Sequence, residues 1–409
     1  MDVTTNRKTA QPAAAWSAVF ALSLCASTLV ASEFMPVSLL TPIAAGLRLT
    51  EGQAGQAISV SGLFAVVTSL FISAATSGFD RRTLLLWLTG LMLVSGIVVA
   101  AAPNYPVLLA GRALVGITIG GFWSLSAATM IRLVPSVDVP RALAVLNGGN
   151  ALATTIAAPL GSFLGQYIGW RGAFFCVVPV AALTFVWQFL SLPGMPSHER
   201  AGATAAFKVL RQPGVPYGML AAALFFLGQF ALFTYLRPFL ETVPRVDVTT
   251  ISALLLVMGA AGLLGTSLIG VFIRKRLYAS LVFMPFAMAL LAVALTLFGA
   301  SSIATAALMF LWGLIGTAAP VGWWMWLSNA LPEDAEAGGG LMVAVVQLAI
   351  TAGAAGGGVI FDHSGYRSTF LFSAVILCMS GSVMLVSALR RKSASAASSS
   401  VCANAAVSS

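Results

Sequence analysis

The chain alternates between long apolar runs and short segments that contain proline, glycine and charged residues. A helix needs about 20 apolar residues to cross a bilayer core roughly 30 Å thick, and many of the runs reach this length. They predict twelve membrane-spanning helices at residues 15–43, 54–77, 83–102, 105–131, 141–168, 172–192, 215–240, 250–273, 277–299, 303–328, 338–360 and 368–389. The pattern therefore predicts an all-α membrane protein.

A polar segment in the middle of the chain divides the predicted helices into two sets of six. It runs from Pro193 to Pro213 and is the longest polar interruption between the apolar runs. The last residues, from Ser393 onward, are rich in serine and alanine and lack periodicity, which is typical of disorder. We expect a cytoplasmic N-terminus at residues 1–14, an N-terminal six-helix bundle at 15–192, a cytoplasmic linker at 193–213, a C-terminal six-helix bundle at 214–392 and a disordered cytoplasmic tail at 393–409.

The two halves resemble each other in sequence. Residues 161–171 and 357–367 both carry glycine at their first and ninth positions and arginine at their eleventh. The pair Glu33-Phe34 in the first predicted helix corresponds to Gln229-Phe230 in the seventh. Parallel repeats of this size occur in transporters whose two halves face a cavity near the membrane midplane. The repeat therefore predicts two pseudo-symmetric six-helix bundles.

Composition and charge narrow the class of protein. With 59% hydrophobic and 8% charged residues, the chain has too little polar surface for a soluble fold. The net charge of +9 does not indicate nucleic-acid binding, because the Lys and Arg residues occur in short clusters between apolar runs. Most of these clusters share one side of the predicted membrane, which the positive-inside rule assigns to the cytoplasm. Both termini and the linker are therefore predicted to be cytoplasmic.

The sequence lacks the usual motifs of catalysis and of ATP binding. The four cysteines show no paired spacing for a disulfide or a metal, and the two histidines lie outside the predicted helices. No Walker-type phosphate-binding loop occurs, so an ATP-driven pump would need another subunit. We expect no enzymatic activity, cofactor or metal, and an energy source other than ATP. A channel stays an alternative, but the internal repeat favours alternating access.

Two ionisable residues inside the predicted helices are candidates for proton coupling. A charge at membrane depth is costly and usually faces an aqueous cavity or a partner. Glu33 can take up a proton from one side and release it to the other, whereas Arg112 stays protonated and can only tune a neighbouring carboxylate. The alternative is structural, with Arg112 bonding to helix carbonyls and Glu33 paired for folding. Arg237, at the end of its helix, is expected to extend to the membrane interface.

Amide and aromatic side chains in the predicted helices are candidates for solute binding. Amides donate and accept hydrogen bonds at once, and aromatic rings offer stacking surfaces, which together suit a neutral, planar solute. The candidates are Phe122, Trp123, Asn147, Asn150, Gln229, Trp323 and Gln347. Amides also bridge membrane helices and tryptophans also line interfaces, so each residue has a structural alternative.

The fifth predicted helix combines a proline with small residues. Pro159 removes a backbone donor, while Gly161 and Gly165 allow a close approach to another helix. The combination predicts a hinge or a tight seal.

These segments together resemble the major facilitator superfamily, in particular its twelve-helix drug:proton antiporter branch. Asp80-Arg81-Arg82 resembles the signature after the second helix of that family, and the resemblance implies a gating role for Asp80 and Arg81. The segment from Arg112 to Gly121 resembles the arginine motif of the fourth helix. Ala158-Pro159 through Gly165 resembles the antiporter motif of the fifth helix. Two of these motifs depart from the family patterns: the first lacks its spacer glycine and an arginine, and in the third Ala158 replaces a glycine.

Within the superfamily, the chain is similar to bacterial efflux pumps for purine ribonucleosides. The segments that carry this likeness are Glu33–Pro42, Gly120–Trp123, Arg132–Pro135, Ala158–Gly165, Gly228–Pro238 and Pro320–Trp323. The resemblance implies export of inosine- and guanosine-like nucleosides across a bacterial inner membrane by proton antiport. Export of a sugar or of several drugs is the alternative within the same fold. We expect the protein to function as a monomer.

Overall fold

The computed structural model describes residues 15–76, 78–196, 209–212, 214–331 and 335–407. The predicted N-terminal segment and most of the predicted linker lie outside these residues. Within them the chain forms thirteen α-helices, and we found no strand. The N-terminal half contains α1 (Trp16–Ser38), α2 (Leu40–Leu47), α3 (Glu51–Ala75), α4 (Arg81–Ala100), α5 (Tyr105–Leu133), α6 (Val139–Phe175) and α7 (Val177–Ser191). The C-terminal half contains α8 (Val215–Phe233), α9 (Leu236–Thr242), α10 (Val248–Phe298), α11 (Ser302–Gly316), α12 (Ala319–Ala330) and α13 (Ala335–Val407).

These helices supply the predicted membrane crossings. Ten apolar spans are long enough to cross a bilayer in the described part of the chain. Two of them, Val139–Ser191 and Gly338–Arg391, contain 53 and 54 residues, about twice the length that one crossing needs. Each bends at a glycine with positive φ, Gly169 at 72° and Gly365 at 75°, which residues with a Cβ rarely adopt. Divided at these glycines, the spans give twelve crossings, as predicted.

The helix boundaries follow from capping residues that the sequence supplies. The side chains of Thr50, Asp80, Asn104, Asp247 and Ser301 each accept a hydrogen bond from a backbone N–H in the first turn of the next helix. Such caps satisfy N–H groups that have no partner within the helix. Where they occur between apolar runs, they fix the places at which the chain turns back into the membrane.

The two halves form separate bundles that meet along two pairs of helices. Within the N-terminal bundle α1 packs on α6 and α3 on α5, and within the C-terminal bundle α8 packs on α13 and α10 on α11. The bundles contact each other where α3 meets α13 and α6 meets α10. Gly259 of α10 allows the closest approach at the second contact, because a Cβ there would lie 2.5 Å from the Thr155 carbonyl oxygen.

The internal repeat is visible in the structure at the two bends. Arg171 lies over the Trp170 ring, 4.2 Å from its centroid, directly after Gly169. Arg367 lies over the Tyr366 ring at 5.9 Å, directly after Gly365. The repeated glycine and arginine positions thus build the same turn in both bundles, and the predicted pseudo-symmetry is confirmed.

We call the two ends of the molecule after residues that lie there. The Thr50 end contains the connections between α2 and α3, α4 and α5, α9 and α10, and α10 and α11, together with the bends at Gly169 and Gly365. The Asp80 end contains the connections between α3 and α4, α5 and α6, and α12 and α13. The last helix continues to Val407 where disorder was predicted; alanine, which is frequent in this tail, has the highest helix propensity.

Candidate functional site

A buried hydrogen bond joins the two bundles near the middle of the molecule. The amide nitrogen Nε2 of Gln347 on α13 donates to Oε1 of Glu33 on α1, at 3.1 Å. Glu33 is 6% exposed and Gln347 is 5% exposed. The carboxyl group that the sequence singled out is therefore held directly by a side chain of the opposite bundle.

Arg112 lies beside this pair and is bonded to peptide groups. Its guanidinium donates to the carbonyl oxygens of Ser32 at 2.7 Å, Ala57 at 3.0 Å and Glu33 at 3.2 Å, and to the Ser61 hydroxyl at 3.0 Å. The five N–H donors of arginine in a fixed fork suit such a set of acceptors. Arg112 thus ties α1, α3 and α5 together and brings a positive charge close to Glu33 without bonding to its carboxyl group.

Gln229 occupies the position in the C-terminal bundle that Glu33 occupies in the N-terminal bundle. Its Nε2 lies 3.5 Å from the Gly316 carbonyl oxygen, at the limit of a hydrogen bond. Its Oε1 is buried and has no hydrogen-bond partner, and the same is true of Oε1 of Gln347. Buried polar atoms are rarely left unpaired, so two free carbonyl oxygens mark this region.

Three phenylalanines close the space next to Glu33 and Gln229. Phe34 stacks on Phe230 of the other bundle, and Phe233 meets both rings edge-on, at 6.4 Å and 5.7 Å. We name this group the aromatic cluster: Phe34, Phe230 and Phe233. The sequence reasoning missed it as part of the site, although Phe34 and Phe230 follow the two matching polar residues in the repeat.

The Thr50 end of the molecule is closed by hydrogen bonds between the bundles. The Asp362 carboxylate on α13 accepts from the Thr50 hydroxyl at 2.6 Å and from the Gly52 backbone N–H at 2.9 Å. It therefore supplements the cap of α3 from the opposite bundle. Ser59 also donates across the boundary, to the Thr351 carbonyl oxygen at 3.2 Å.

Arg237 strengthens the same closure, and the prediction that it extends to the membrane interface is wrong. Its side chain is 5% exposed and pairs with Glu241 at 2.7 Å. It also donates to the carbonyl oxygen of Ser38, at the end of α1 in the other bundle. The carbonyl is accessible because α1 ends there, which leaves it without an intrahelical partner.

The sequence of this chain matches a known protein family. A model of the Major Facilitator Superfamily matches residues 20–354. The chain belongs to this superfamily. It is thus a membrane transporter for a small molecule and not an enzyme, as predicted.

Two relatives and two solved structures are similar to this chain over most of its length. The transcription regulatory protein OpdE of Pseudomonas aeruginosa is 55% identical over 392 residues, which cover 94% of this chain and 96% of that protein. The purine ribonucleoside efflux pump NepI of Escherichia coli is 41% identical over 377 residues, covering 91% and 93%. A bacterial homologue of the human lysosomal transporter Spinster, inward-facing and unoccupied, superposes with a TM-score of 0.75 at 16% identity, covering 91% and 96%. A D-xylose–proton symporter gives 0.71 at 15%, covering 91% and 97%; at such identities the likeness concerns the fold.

Of the predicted solute-binding residues, only Gln229 and Gln347 lie at the level of Glu33. Phe122 is buried in the core of the N-terminal bundle with its ring edge-on to Trp123. Trp323 is buried in the core of the C-terminal bundle against Phe225, and its indole Nε1 has no partner. Tryptophan has an apolar ring and a polar N–H, which suit a protein core as well as a solute-binding cavity. The sequence alone therefore could not tell in which of these Trp323 lies.

The two predicted asparagines lie on the part of α6 that is nearer the Asp80 end. Asn147 is exposed, and its amide donates to the Leu143 carbonyl oxygen of its own helix at 2.9 Å. Asn150 is partly exposed. Neither contacts Glu33 by a hydrogen bond found in the structure, so their role in solute binding stays a prediction.

Asp80 and Arg81, which resemble the gating signature of the superfamily, make the hydrogen bonds described here within the N-terminal half. Oδ1 of Asp80 caps α4 by accepting from Arg82 N–H at 2.8 Å, and it also accepts from Met195 N–H at 3.1 Å. The backbone N–H of Arg81 donates to the Met195 carbonyl oxygen at 3.0 Å. These contacts hold the start of α4 to the segment after α7. Gating by Asp80 and Arg81 stays a prediction.

The small residues of α6 allow it to pack tightly on the end of α1. A Cβ on Gly161 would lie 2.6 Å from the Ser38 hydroxyl oxygen, and one on Gly165 would lie 2.4 Å from a Leu39 methyl carbon. Pro159 is buried two residues before Gly161 in the same helix. These contacts lie within the N-terminal bundle, and the hinge or seal at Pro159, Gly161 and Gly165 stays a prediction.

Proposed function

We propose that this chain exports purine ribonucleosides such as inosine and guanosine, or their analogues, in exchange for protons. The observation that carries the proposal is the Glu33–Gln347 hydrogen bond, because it makes a titratable group part of the contact between the two bundles. If the protonation of a group differs between two arrangements of the bundles, proton binding shifts the equilibrium between these arrangements. Proton uptake by Glu33 would thereby be coupled to alternating access.

Arg112 supports the proposal by its position. It keeps its charge, and it fixes the backbone on both sides of the Glu33 peptide through its bonds to Ser32 and Glu33. A buried carboxylate benefits from a nearby cation, whereas the neutral acid does not. Protonation of Glu33 removes its negative charge and would therefore weaken its favourable interaction with Arg112.

Charge distribution supports the direction of transport. The positive-inside rule places the Asp80 end in the cytoplasm and the Thr50 end outside, with both termini inside. With the bundles joined at the Thr50 end, this structure would open towards the cytoplasm, where an exporter takes up its solute. We propose a multi-pass protein of the bacterial inner membrane that works as a monomer.

The nucleoside is inferred from relatives and from the amide and aromatic side chains. The 41%-identical relative is named a purine ribonucleoside efflux pump, and Gln229, Gln347 and the aromatic cluster provide hydrogen-bonding and stacking groups of the kind that a nucleoside base requires. The 55%-identical relative is named for regulation of transcription. Measurement with purified protein separates the two activities, because transport in vesicles involves no transcription.

The test is transport of radiolabelled inosine into inverted, reconstituted vesicles with an acidic interior. We expect inosine to accumulate only while the proton gradient is present, and D-xylose and a cationic drug to accumulate much less. Inosine flux that ignores the gradient would exclude antiport, and preferential movement of the sugar or the drug would exclude the nucleoside.

A pair of variants tests the proton site. Glu33→Gln should abolish gradient-driven accumulation and leave exchange of inosine across the membrane measurable, because the amide cannot release a proton. Glu51→Gln is the matched control, since Glu51 lies in the first turn of α3 at the Thr50 end. Gradient-driven accumulation that survives in Glu33→Gln would move the proton site elsewhere.

A further inference from the structure

The two free carbonyl oxygens in the C-terminal bundle have a defined chemical character. Oε1 of Gln229 and Oε1 of Gln347 are both buried and unpaired. A carbonyl oxygen can only accept hydrogen bonds. Each glutamine therefore presents an unpaired acceptor to whatever approaches its Oε1.

The orientation of both amides follows from their partners. Nε2 of Gln229 faces the Gly316 carbonyl oxygen, and Nε2 of Gln347 faces Oε1 of Glu33. Peptide carbonyl oxygens and carboxylates accept hydrogen bonds, so the nitrogen of each amide has to point towards them. Turning the Gln229 amide over, or the Gln347 amide while Glu33 is ionised, would place oxygen against oxygen. The acceptor character of the free side is thus imposed by the surrounding side chains and backbone.

We propose that Gln229 and Gln347 recognise the solute through its own hydrogen-bond donors, and this rests on the proposed function. In inosine the donors are the ribose hydroxyls and the N1–H of the base, and guanosine adds the 2-amino group. A site with buried acceptors rejects an analogue that lacks the matching donor, because the acceptor then stays unpaired. The two glutamines would therefore select ribonucleosides over deoxyribonucleosides or over N1-substituted bases.

The surroundings of the two amides suit such a solute. The aromatic cluster begins one residue after Gln229, with Phe230, and one residue after Glu33, with Phe34. Flat apolar rings next to buried acceptors can hold a heterocycle by its face while its donors are read at its edge. Oε1 of Glu33 is already engaged with Gln347.

The test combines variants of the protein with analogues of the ligand. Binding of radiolabelled inosine to the purified protein is measured at equilibrium, with inosine, 2′-deoxyinosine, 3′-deoxyinosine and 1-methylinosine as competitors. Gln229→Met and Gln347→Met preserve side-chain length and remove the acceptor. We expect the unaltered protein to bind at least one donor-deleted analogue roughly tenfold more weakly than inosine, the loss typical of one hydrogen bond.

The decisive result is the combination of variant and analogue. One glutamine variant should bind inosine roughly tenfold more weakly and should no longer distinguish inosine from the analogue that lacks the donor it reads. A variant that only perturbs the fold would weaken all four ligands by the same factor.

Gln188→Met is the matched control. Gln188 is a buried glutamine of α7 that accepts from the Thr89 hydroxyl inside the N-terminal bundle, away from the boundary. Its replacement should leave discrimination unchanged. Equal weakening of all ligands by both glutamine variants, or no weakening, would overturn the recognition role alone. Absence of inosine binding by the unaltered protein would overturn the proposed function and this inference with it.

Discussion

Phe34 of the N-terminal bundle and Phe230 of the C-terminal bundle stack on each other, with ring centroids 5.7 Å apart and an interplanar angle of 24°. The two residues occupy matching positions in the internal repeat, each directly after the polar residue of its helix. The pseudo-symmetry of the chain thus brings the same side chain to the boundary from both sides. Movement of the two bundles away from each other at this point has to separate the pair.

Removing the aromatic pair should open a leak. We expect Phe34→Ala combined with Phe230→Ala to increase gradient-independent inosine flux several-fold, because two large rings are lost from the closed boundary and the remaining gap is not refilled by neighbours. Efflux from preloaded vesicles without a gradient measures this. Phe20→Ala is the control, since Phe20 is 49% exposed on the outer surface of α1. Unchanged passive flux in the double variant would mean that the rings do not seal the path.

Asp362 should stabilise closure of the Thr50 end. Its carboxylate bonds to Thr50 and Gly52 across the boundary, and hydrogen bonds to a charged group are worth about 1.5–3 kcal/mol, with the lower value appropriate to an exposed position. Asp362→Ala should therefore shift the equilibrium by about tenfold towards separation of the bundles at this end. Pulsed electron resonance distances between spin labels on the two bundles measure the shift.

The control for this variant keeps a cap that lies within one bundle. Asp247 caps α10 by accepting from the Thr249 backbone N–H, and no hydrogen bond from its side chain to the other bundle is present in the structure. Asp247→Ala should destabilise the first turn of α10 without changing the distances between the bundles. Equal distance distributions for both variants would show that the Asp362 contacts do not control closure.

Arg112 should matter for folding through its fork of donors. Arg112→Met leaves the Ser61 hydroxyl and three peptide carbonyls without these donors, which should lower the free energy of unfolding by about 1–3 kcal/mol. Arg112→Lys keeps the charge but cannot reproduce the fork, so it should restore only part of the loss. Thermal denaturation of the solubilised protein measures both. Full recovery with lysine would indicate that charge, and not geometry, is what the position requires.

Gly161 should be required for the packing of α6 on α1. Gly161→Val places a branched side chain where a Cβ already lies 2.6 Å from the Ser38 hydroxyl oxygen, so the helices have to move apart. We expect destabilisation of about 1–3 kcal/mol and increased passive leak. Gly148→Val is the matched control on the same helix, because nothing lies within 4 Å of its Cβ position. Similar thermal midpoints for the two variants would contradict the close contact.

The sequence alone was sufficient for the number of crossings, the two related halves and the family. These properties depend on the length of apolar runs and on repeated residues, which are local features of the chain. The bends at Gly169 and Gly365 show the limit of such features. They appear in the sequence as repeated glycines, but only the positive φ in the structure explains why glycine is needed there.

The contacts of the site were decided by the tertiary structure. Glu33 was recognisable in the sequence as a buried charge, but its partner Gln347 lies on a helix of the other half. The sequence around Asp362 and Arg237 did not indicate that these residues contact α3 and α1. Whether a polar or aromatic side chain faces the boundary or its own bundle depends on the rotation and tilt of each helix. Packing between helices sets that rotation. Phe122 and Trp323 therefore lie in the cores, whereas Gln229 and Gln347 lie at the level of Glu33.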